Sequence, residues 1–308
     1  MWKYVIKRIL TLIPVLIGVT LIVYLIMSLA PGDPAITILG EQATTEAVAQ
    51  LREEMHLNDP VIVQYGRYMI NLLKGDMGTS YKTKKAVSLE ISSRFPNTLR
   101  LSLVAIFMSV IIAIPLGIVA AVKQNSFIDG FSMIIALLGV SIPIFWFGIL
   151  LQILFSLKLG WLPSSGATSW DCIILPAFAL GLHGIATIAR TTRSSMLEVI
   201  RQDYIRTARS KGVPYRTVIK KHALRNALIP TVTVIGLEIG GLLGGSVLTE
   251  TVFAWPGIGR YMITSISGRD IPSVLGCIIV FTLCFSVCNL IVDLLYGFID
   301  PRIKSQYS

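Results

Sequence analysis

The residues of this chain that could do chemistry are few and lie far apart. Glu238 is the single acid in the otherwise charge-free stretch 226–249, and His183 lies in another such stretch. Stretches of this length can cross a bilayer, where ionisable side chains are costly and usually face a cavity or a neighbouring helix. We interpret Glu238 either as a residue that lines a polar pathway between helices and meets a cationic group there, or as a contact between helices. For His183 a satisfied polar contact is favoured over a ligand role.

Catalytic and metal-binding patterns are absent from the sequence. It contains no HExxH, no GxSxG and no GxxxxGK[ST], so neither an intramembrane enzyme nor an ATP-binding subunit is expected. The three histidines belong to different parts of the chain, and three of the four cysteines share one helix face, where thiols behave as small hydrophobes. We therefore predict no catalytic residue, no metal site, no cofactor and no disulfide framework.

The stretch 190–225 carries the strongest charge signal, with ten Lys and Arg against Glu198 and Asp203. Apolar residues such as Met196 and Ile205 recur within it at a spacing of three to four, which predicts a short amphipathic helix ending at Gly212. A second basic helix is expected from Tyr215 to Arg225. The first helix could bind anionic lipid headgroups, or it could dock on a cytoplasmic protein by inserting its apolar residues into a groove.

The composition sets the fold class. Of the 308 residues, 54% are hydrophobic and only 14% are charged, and the mean hydropathy is +0.72, too apolar to cover the surface of soluble domains. We predict one all-α integral membrane domain over residues 1–308 with six transmembrane helices. The first span is expected to be an uncleaved anchor. The predicted spans are 9–30, 101–122, 130–157, 172–189, 226–249 and 271–292.

Orientation follows from where the net charge of +10 sits. The tail 1–8 carries three Lys and Arg and no acid. Residues 31–99, by contrast, carry eight acids against seven Lys and Arg. Lys and Arg accumulate on the cytoplasmic side, so we place the basic stretch 190–225 and both tails, 1–8 and 293–308, in the cytoplasm and the segment 31–100 outside. The basic excess is then a signal of topology, and no nucleic-acid partner is expected; the lipid bilayer is the surrounding partner.

The extracytoplasmic segment should contain a helix. Asp59-Pro60 is a favourable helix start, apolar residues follow at helical spacing from Ile62 to Leu73, and Gly75 ends the pattern. We expect an amphipathic helix that lies on the membrane or packs over the mouth of the bundle.

Two strings in the basic stretch carry a family resemblance. Residues 203–212 (DYIRTARSKG) and 222–230 (HALRNALIP) resemble the EAA loop of importer-type ABC permeases. Arg206-Thr207-Ala208 stands where the general motif has Glu-Ala-Ala, Gly212 stands at its glycine, and the spacer before the second string is longer than in sugar permeases. Both departures resemble the dipeptide/oligopeptide/nickel branch. Further matching strings are 31–34, 57–60, 64–65, 75–80, 250–259 and 293–302.

The resemblance implies a B-type permease subunit in a bacterial inner membrane. Its partners would be a second homologous permease subunit, two ATP-binding subunits and an extracytoplasmic substrate-binding protein. The cargo would be a dipeptide, oligopeptide or glutathione, with nickel or a metal-ligand complex as the alternative. A secondary transporter or channel is the rival from another class. The implied ATPase-docking residues are Asp203, Tyr204, Ile205, Arg206, Ala208, Arg209, Lys211 and Gly212.

A glycine-rich run lies in the fifth predicted span. Gly240 and Gly244, and likewise Gly241 and Gly245, have the GxxxG spacing that lets membrane helices approach closely. We expect a packing contact between helices, either within this chain or as a sliding contact with the second permease subunit.

Overall fold

The computed structural model describes residues 2–29, 32–40 and 42–299, and within them the backbone is helical apart from loops and one isolated bridge between Thr79 and Ala86. Residue 31 of the string 31–34 and residues 300–302 of the string 293–302 lie outside the described residues, as does the rest of the tail up to 308. The α-helices are α1 Trp2–Leu29, α2 Pro34–Leu39, α3 Thr45–Glu54, α4 Val61–Leu73, α5 Val87–Val122, α6 Phe127–Ser141, α7 Ile144–Leu151, α8 Ile174–Ile200, α9 Asp203–Ser210, α10 Tyr215–Thr217, α11 Leu224–Val252, α12 Ile258–Ser267 and α13 Ile271–Ile299.

The predicted all-α architecture of six spans is confirmed, with one change of shape. Five helices are long and apolar enough to cross a membrane, and the sixth crossing is a bent pair formed by Phe127–Ser141 and Ile144–Lys158. The predicted span 130–157 is not one continuous helix, because its two halves are bent by 108° at the break between Ser141 and Ile144. Pro143 lacks an amide hydrogen and forces Ile142 out of the helical region, to φ −81° and ψ 127°, which ends α6.

The helix boundaries also reduce the size of the basic loop. α8 continues past the predicted end of its span to Ile200, so Arg190 and Arg193 belong to a long helix. The prediction of a separate second helix from Tyr215 to Arg225 is wrong. A continuous helix runs from Tyr215 to Val252, with a π-helical turn at Val218–Ala223, so its basic residues form one end of a membrane-spanning helix. Only α9 and its two flanking turns stand between the long helices.

The core of the bundle is the contact of α5 with α8 and α11. Leu101 and Ala105 from α5, Leu180 and Ile188 from α8, and Leu242 from α11 are buried in one cluster. Close approach depends on small residues: a Cβ on Gly181 would lie 2.9 Å from the Ala105 carbonyl oxygen. α6 packs on α8, α13 packs on α11, and α1 packs on α13 at the periphery. The result is a three-helix core with outer helices on its flanks.

The helix predicted within the segment 31–100 is present as α4, Val61–Leu73. α4 packs along α1: the Tyr65 hydroxyl lies 2.9 Å from the Thr20 hydroxyl, and the Tyr24 hydroxyl donates to Gln64 Oε1 at 3.0 Å. Thr20 is near the middle of the first span. α4 therefore packs against the first span, in contact with Thr20 and Tyr24.

Candidate functional site

The short helix α9 forms because its ends carry favourable residues. Gln202 is extended at φ −69° and ψ 150° before the first turn, where Asp203 complements the positive helix end, and Arg209 lies in the last turn. Beyond the helix, Gly212 has φ +77°, and a Cβ added there would meet nothing within 4 Å. The turn thus needs glycine for its backbone angle and not for space.

Ile205 anchors α9 to the rest of the chain. Its side chain is fully buried in a cluster that joins α8, α9 and the N-terminal end of the helix 215–252. Met196 from α8 is also fully buried, and Ala208 is half-buried against the cluster. The expectation that Met196 and Ile205 insert into a partner is wrong, because the chain itself already encloses both side chains. The remaining buried members of the cluster are Ala121, Val218, Ile219, Ala223 and Ala227.

The outer face of α9 is polar and basic. Arg206 is 75% exposed, and its guanidinium is 3.8 Å from the Asp203 carboxylate, which is itself 98% exposed. An ion pair this open contributes little to stability. Arg209 and Lys211 are exposed on the same element. This face is therefore held out from the bundle with its charges available to another surface.

Two contacts fix the direction of that face. Asn226 donates from Nδ2 to the Tyr204 hydroxyl at 2.8 Å, which ties α9 to α11. The Arg209 guanidinium stacks over the Tyr215 ring, 5.0 Å from its centre, and so ties α9 to α10. The structure places the predicted docking residues on α9 and the turn that follows it. Ile205 is buried and Ala208 half-buried, and the others are exposed: Asp203, Tyr204, Arg206, Arg209, Lys211 and Gly212.

Glu238 lies against α8. A Cβ on Gly184 would be 3.6 Å from Glu238 Oε2, and His183 and Thr187 of α8 lie beside the same carboxylate. Glu238 and His183, which were treated separately, are therefore neighbours between two helices. The Glu238 side chain is half-buried, which fits a contact between the two helices.

The glycines of the run face two different surroundings, one packed against α13 and one open. A Cβ on Gly240 would lie 3.3 Å from the Phe285 ring of α13, whereas one on Gly245 would only reach Leu180 at 3.9 Å. Cβ atoms on Gly241 and Gly244 would meet nothing within 4 Å. The packing interpretation fits Gly240 within this chain, while Gly241 and Gly244 lie on an open face of α11.

A fully buried acid of α11 was missed by the sequence reasoning. Glu238 is not the only acid of this span, because α11 extends past residue 249 to Val252 and includes Glu250. Glu250 is fully buried, and its Oε2 accepts from the Arg260 amide at 3.1 Å, so it caps the start of α12. Gly257 is the sequence feature that accompanies this contact, because a Cβ there would lie 2.4 Å from the Glu250 carboxylate.

The described residues hold no group of three or more His, Cys, Asp or Glu side chains arranged to bind a metal ion. All four cysteines are unpaired, with Cys172 and Cys277 buried.

Comparison with known proteins assigns the family. The model for the binding-protein-dependent transport system inner membrane component matches residues 113–305, and the model for the N-terminal part of such membrane components matches residues 1–102. The dipeptide transport system permease protein DppB of Alkalihalophilus pseudofirmus is 49% identical, covering 99% of this chain and 100% of the relative. The glutathione transport system permease proteins GsiC of Salmonella paratyphi A and of Escherichia coli K12 are each 45% identical over 99% of both chains.

Solved structures share the fold at low sequence identity. An inward-facing MetNI methionine ABC transporter chain superposes with a TM-score of 0.57 at 19% identity, over 68% of this chain and 95% of that one. An amino acid ABC transporter chain crystallised with histidines gives a TM-score of 0.55 at 15% identity, over 68% and 93%. The chain belongs to the family of binding-protein-dependent transport system inner membrane components, and it is a permease subunit of an ABC importer.

Proposed function

We propose that this permease passes small peptides into the cytoplasm, with a dipeptide as the principal cargo and glutathione as a chemically similar one. The single observation that carries this is the extent of the match to permeases named for dipeptide and glutathione transport, which spans 99% of the chain. The same relatives favour peptide cargo over nickel or a metal-ligand complex. Family membership also weighs against a secondary transporter or channel.

The energy for import enters through α9. The exposed basic face of α9 is presented away from the bundle, while Ile205 roots the helix in the cluster with Met196. A rigid, outward-facing charged helix suits docking on a cytoplasmic protein better than penetration of a groove. We infer that an ATP-binding subunit docks here and that the permease itself is not catalytic. Two such subunits then serve two homologous permease subunits arranged as a heterodimer, with an extracytoplasmic protein delivering the cargo.

The second permease subunit would cover the open face of α11. Leu237, Gly241, Gly244 and Leu248 lie on this face at helical spacing, and all four are exposed. Glycines without neighbours let another helix approach and slide with little resistance. A structure of the assembled complex in which lipid covers this face would contradict the contact.

The proposed topology keeps both termini cytoplasmic. This places the segment 31–100, the turn between α7 and α8, and α12 outside, and places α9 inside with the basic ends of α8 and α11. Arg8 and Asp293, which lie 3.5 Å apart at the inner ends of α1 and α13, fit the same arrangement. A cysteine introduced at position 206 that reacts with an impermeant thiol reagent from outside intact cells would contradict it.

Reconstitution tests the proposed cargo and energy source together. Vesicles holding the permease pair and the ATP-binding subunits should accumulate labelled dipeptide only with ATP inside and the binding protein outside. A proton gradient without ATP should drive none. Uptake driven by the gradient alone would overturn the proposed energy source. Failure of both unlabelled dipeptide and glutathione to compete with the labelled dipeptide would overturn the proposed cargo.

Glu238 is proposed as a pathway residue that meets the cargo's amino group. Glu238→Gln keeps the size and polarity of the side chain but removes its charge, so the rate of dipeptide uptake should fall by about three- to tenfold, the range of a modest electrostatic contribution. Uptake of an N-acetylated peptide should change less. Unchanged rate and unchanged preference would leave only the helix contact with α8.

A further inference from the structure

A buried ion pair joins the bent sixth crossing to α8. Arg193 donates from Nε to Asp129 Oδ1 at 2.6 Å and from Nη2 to Asp129 Oδ2 at 2.7 Å. The side chain of Asp129 is 6% exposed and that of Arg193 is 25% exposed. Two parallel bonds between planar groups fix the orientation of both partners as well as their separation.

The aspartate is also built into the start of α6. Asn125 donates its amide to Asp129 Oδ2 at 3.0 Å, and the Asp129 amide donates to the Ser126 hydroxyl at 3.4 Å. The carboxylate therefore holds the turn between α5 and α6 and the arginine of α8 at once. Any movement of Arg193 along the helix axis is transmitted to the first turn of α6.

The other end of α6 packs closely against α8 and lies just before the bend. A Cβ on Gly139 would lie 3.2 Å from the Ala186 methyl group of α8, and α6 ends two residues later at Ser141, before the 108° bend. The outward side of α6 exposes Phe131 and Ile134. α6 is thus a short helix attached to α8 at both ends, with the 108° bend to α7 beyond it.

α8 leads directly to the proposed docking helix. Arg193 lies seven residues before the end of α8 at Ile200, which corresponds to about 10 Å along the axis. Met196, one turn from Arg193, is buried in the same cluster as Ile205 of α9. A packed path therefore runs from α9 through α8 to the ion pair and into α6.

We propose that Asp129 and Arg193 are positioning residues for coupled import: their pair makes α6 and its bent extension move with α9 when the ATP-binding subunits change shape. Neither residue touches cargo or nucleotide. This inference rests on the proposed docking of an ATP-binding subunit on α9. The packed core transmits displacement because helices shift as rigid elements between discrete arrangements.

The test removes both charges together, because a single removal would leave an unpaired buried charge and could prevent folding. The variants are Asp129→Asn/Arg193→Gln and the conservative Arg193→Lys, which keeps the charge but loses the paired geometry. Arg190→Gln is the matched control, since Arg190 is an exposed arginine on the same helix. Each is measured in the complete complex for assembly, basal ATP hydrolysis and dipeptide imported per ATP hydrolysed.

The double neutral variant should assemble and hydrolyse ATP, but dipeptide imported per ATP should fall about tenfold, in the range expected for residues along a coupling path. Arg193→Lys should fall between that value and the parent, and Arg190→Gln should match the parent. Wild-type coupling in the double variant would overturn the inference, as would loss of assembly in step with loss of import. Failure of the docking proposal is distinguishable, because it would appear as normal coupling after charge reversal on α9.

Discussion

Reversing the charge of α9 is expected to abolish ATP-driven import while leaving the chain inserted and folded. The variant is Arg206→Glu/Arg209→Glu, which replaces two exposed positive charges on the proposed docking face. Like-charge contacts across an interface cost several kcal/mol, so a pair of reversals should lower affinity for the ATP-binding subunit by at least about a hundredfold. Both side chains are exposed, and the lost stacking of Arg209 on Tyr215 is an exposed contact of about 0.5–1 kcal/mol, so the stability of the permease should change by only about 1 kcal/mol.

Three readouts separate docking from folding for this variant. Copurification of the ATP-binding subunits and ATP hydrolysis stimulated by loaded binding protein should both be lost, while thermal unfolding of the permease should be unaltered. Lys123→Glu is the matched control, because Lys123 is an exposed lysine on the other cytoplasmic turn, between α5 and α6. Normal stimulated hydrolysis in the double reversal would remove α9 from the interface.

Truncating Ile205 is expected to weaken the packing of α9 against the rest of the chain. Ile205→Ala deletes three buried carbons from a cluster in which Met196 and Val218 are also fully buried. Large-to-small changes of this kind cost about 2–5 kcal/mol because the cavity collapses only in part. Since the lost contacts set the position of α9 on α8, coupling should weaken even though no exposed docking residue has changed.

The matched control for this change is the same substitution at an exposed isoleucine. Ile229 of α11 is 43% exposed, so Ile229→Ala should leave both thermal unfolding and coupling near the parent values. Ile205→Ala should lower the unfolding temperature measured in detergent and reduce dipeptide imported per ATP. A parent-like unfolding temperature for Ile205→Ala would show that the cluster does not hold the helix.

The spans were predictable because the bilayer imposes a simple rule on composition. Charge-free stretches near 20 residues mark crossings, and all six predicted crossings correspond to described helices or to the bent pair. Helix ends were not predictable in the same way. Arg190 and Arg193 are polar enough to suggest a loop, yet α8 continues through them because Asp129 and the cluster around Met196 give that end tertiary contacts.

The break in the sixth crossing and the burial of Ile205 depend on tertiary contacts as well. Pro143 lies inside the predicted span, where proline is often tolerated, so the sequence alone did not predict a bend of 108°. In the structure Pro143 ends α6, and α7 then packs against α8 and α11. Likewise, the periodicity of α9 identifies an apolar side without saying which protein covers it. Ile205 faces its own chain because the cytoplasmic ends of α8 and α11 are long enough to reach it.

Site-specific photocrosslinking from α9 in the purified, assembled complex tests the central claim most directly. A photoreactive residue at position 206 or 209 should capture the ATP-binding subunit, and one at position 123 should capture it weakly or not at all. The yield from position 206 should change when ATP is bound, because the docked subunits change shape. Capture of lipid alone from positions 206 and 209, in a complex that still imports dipeptide, would contradict the account.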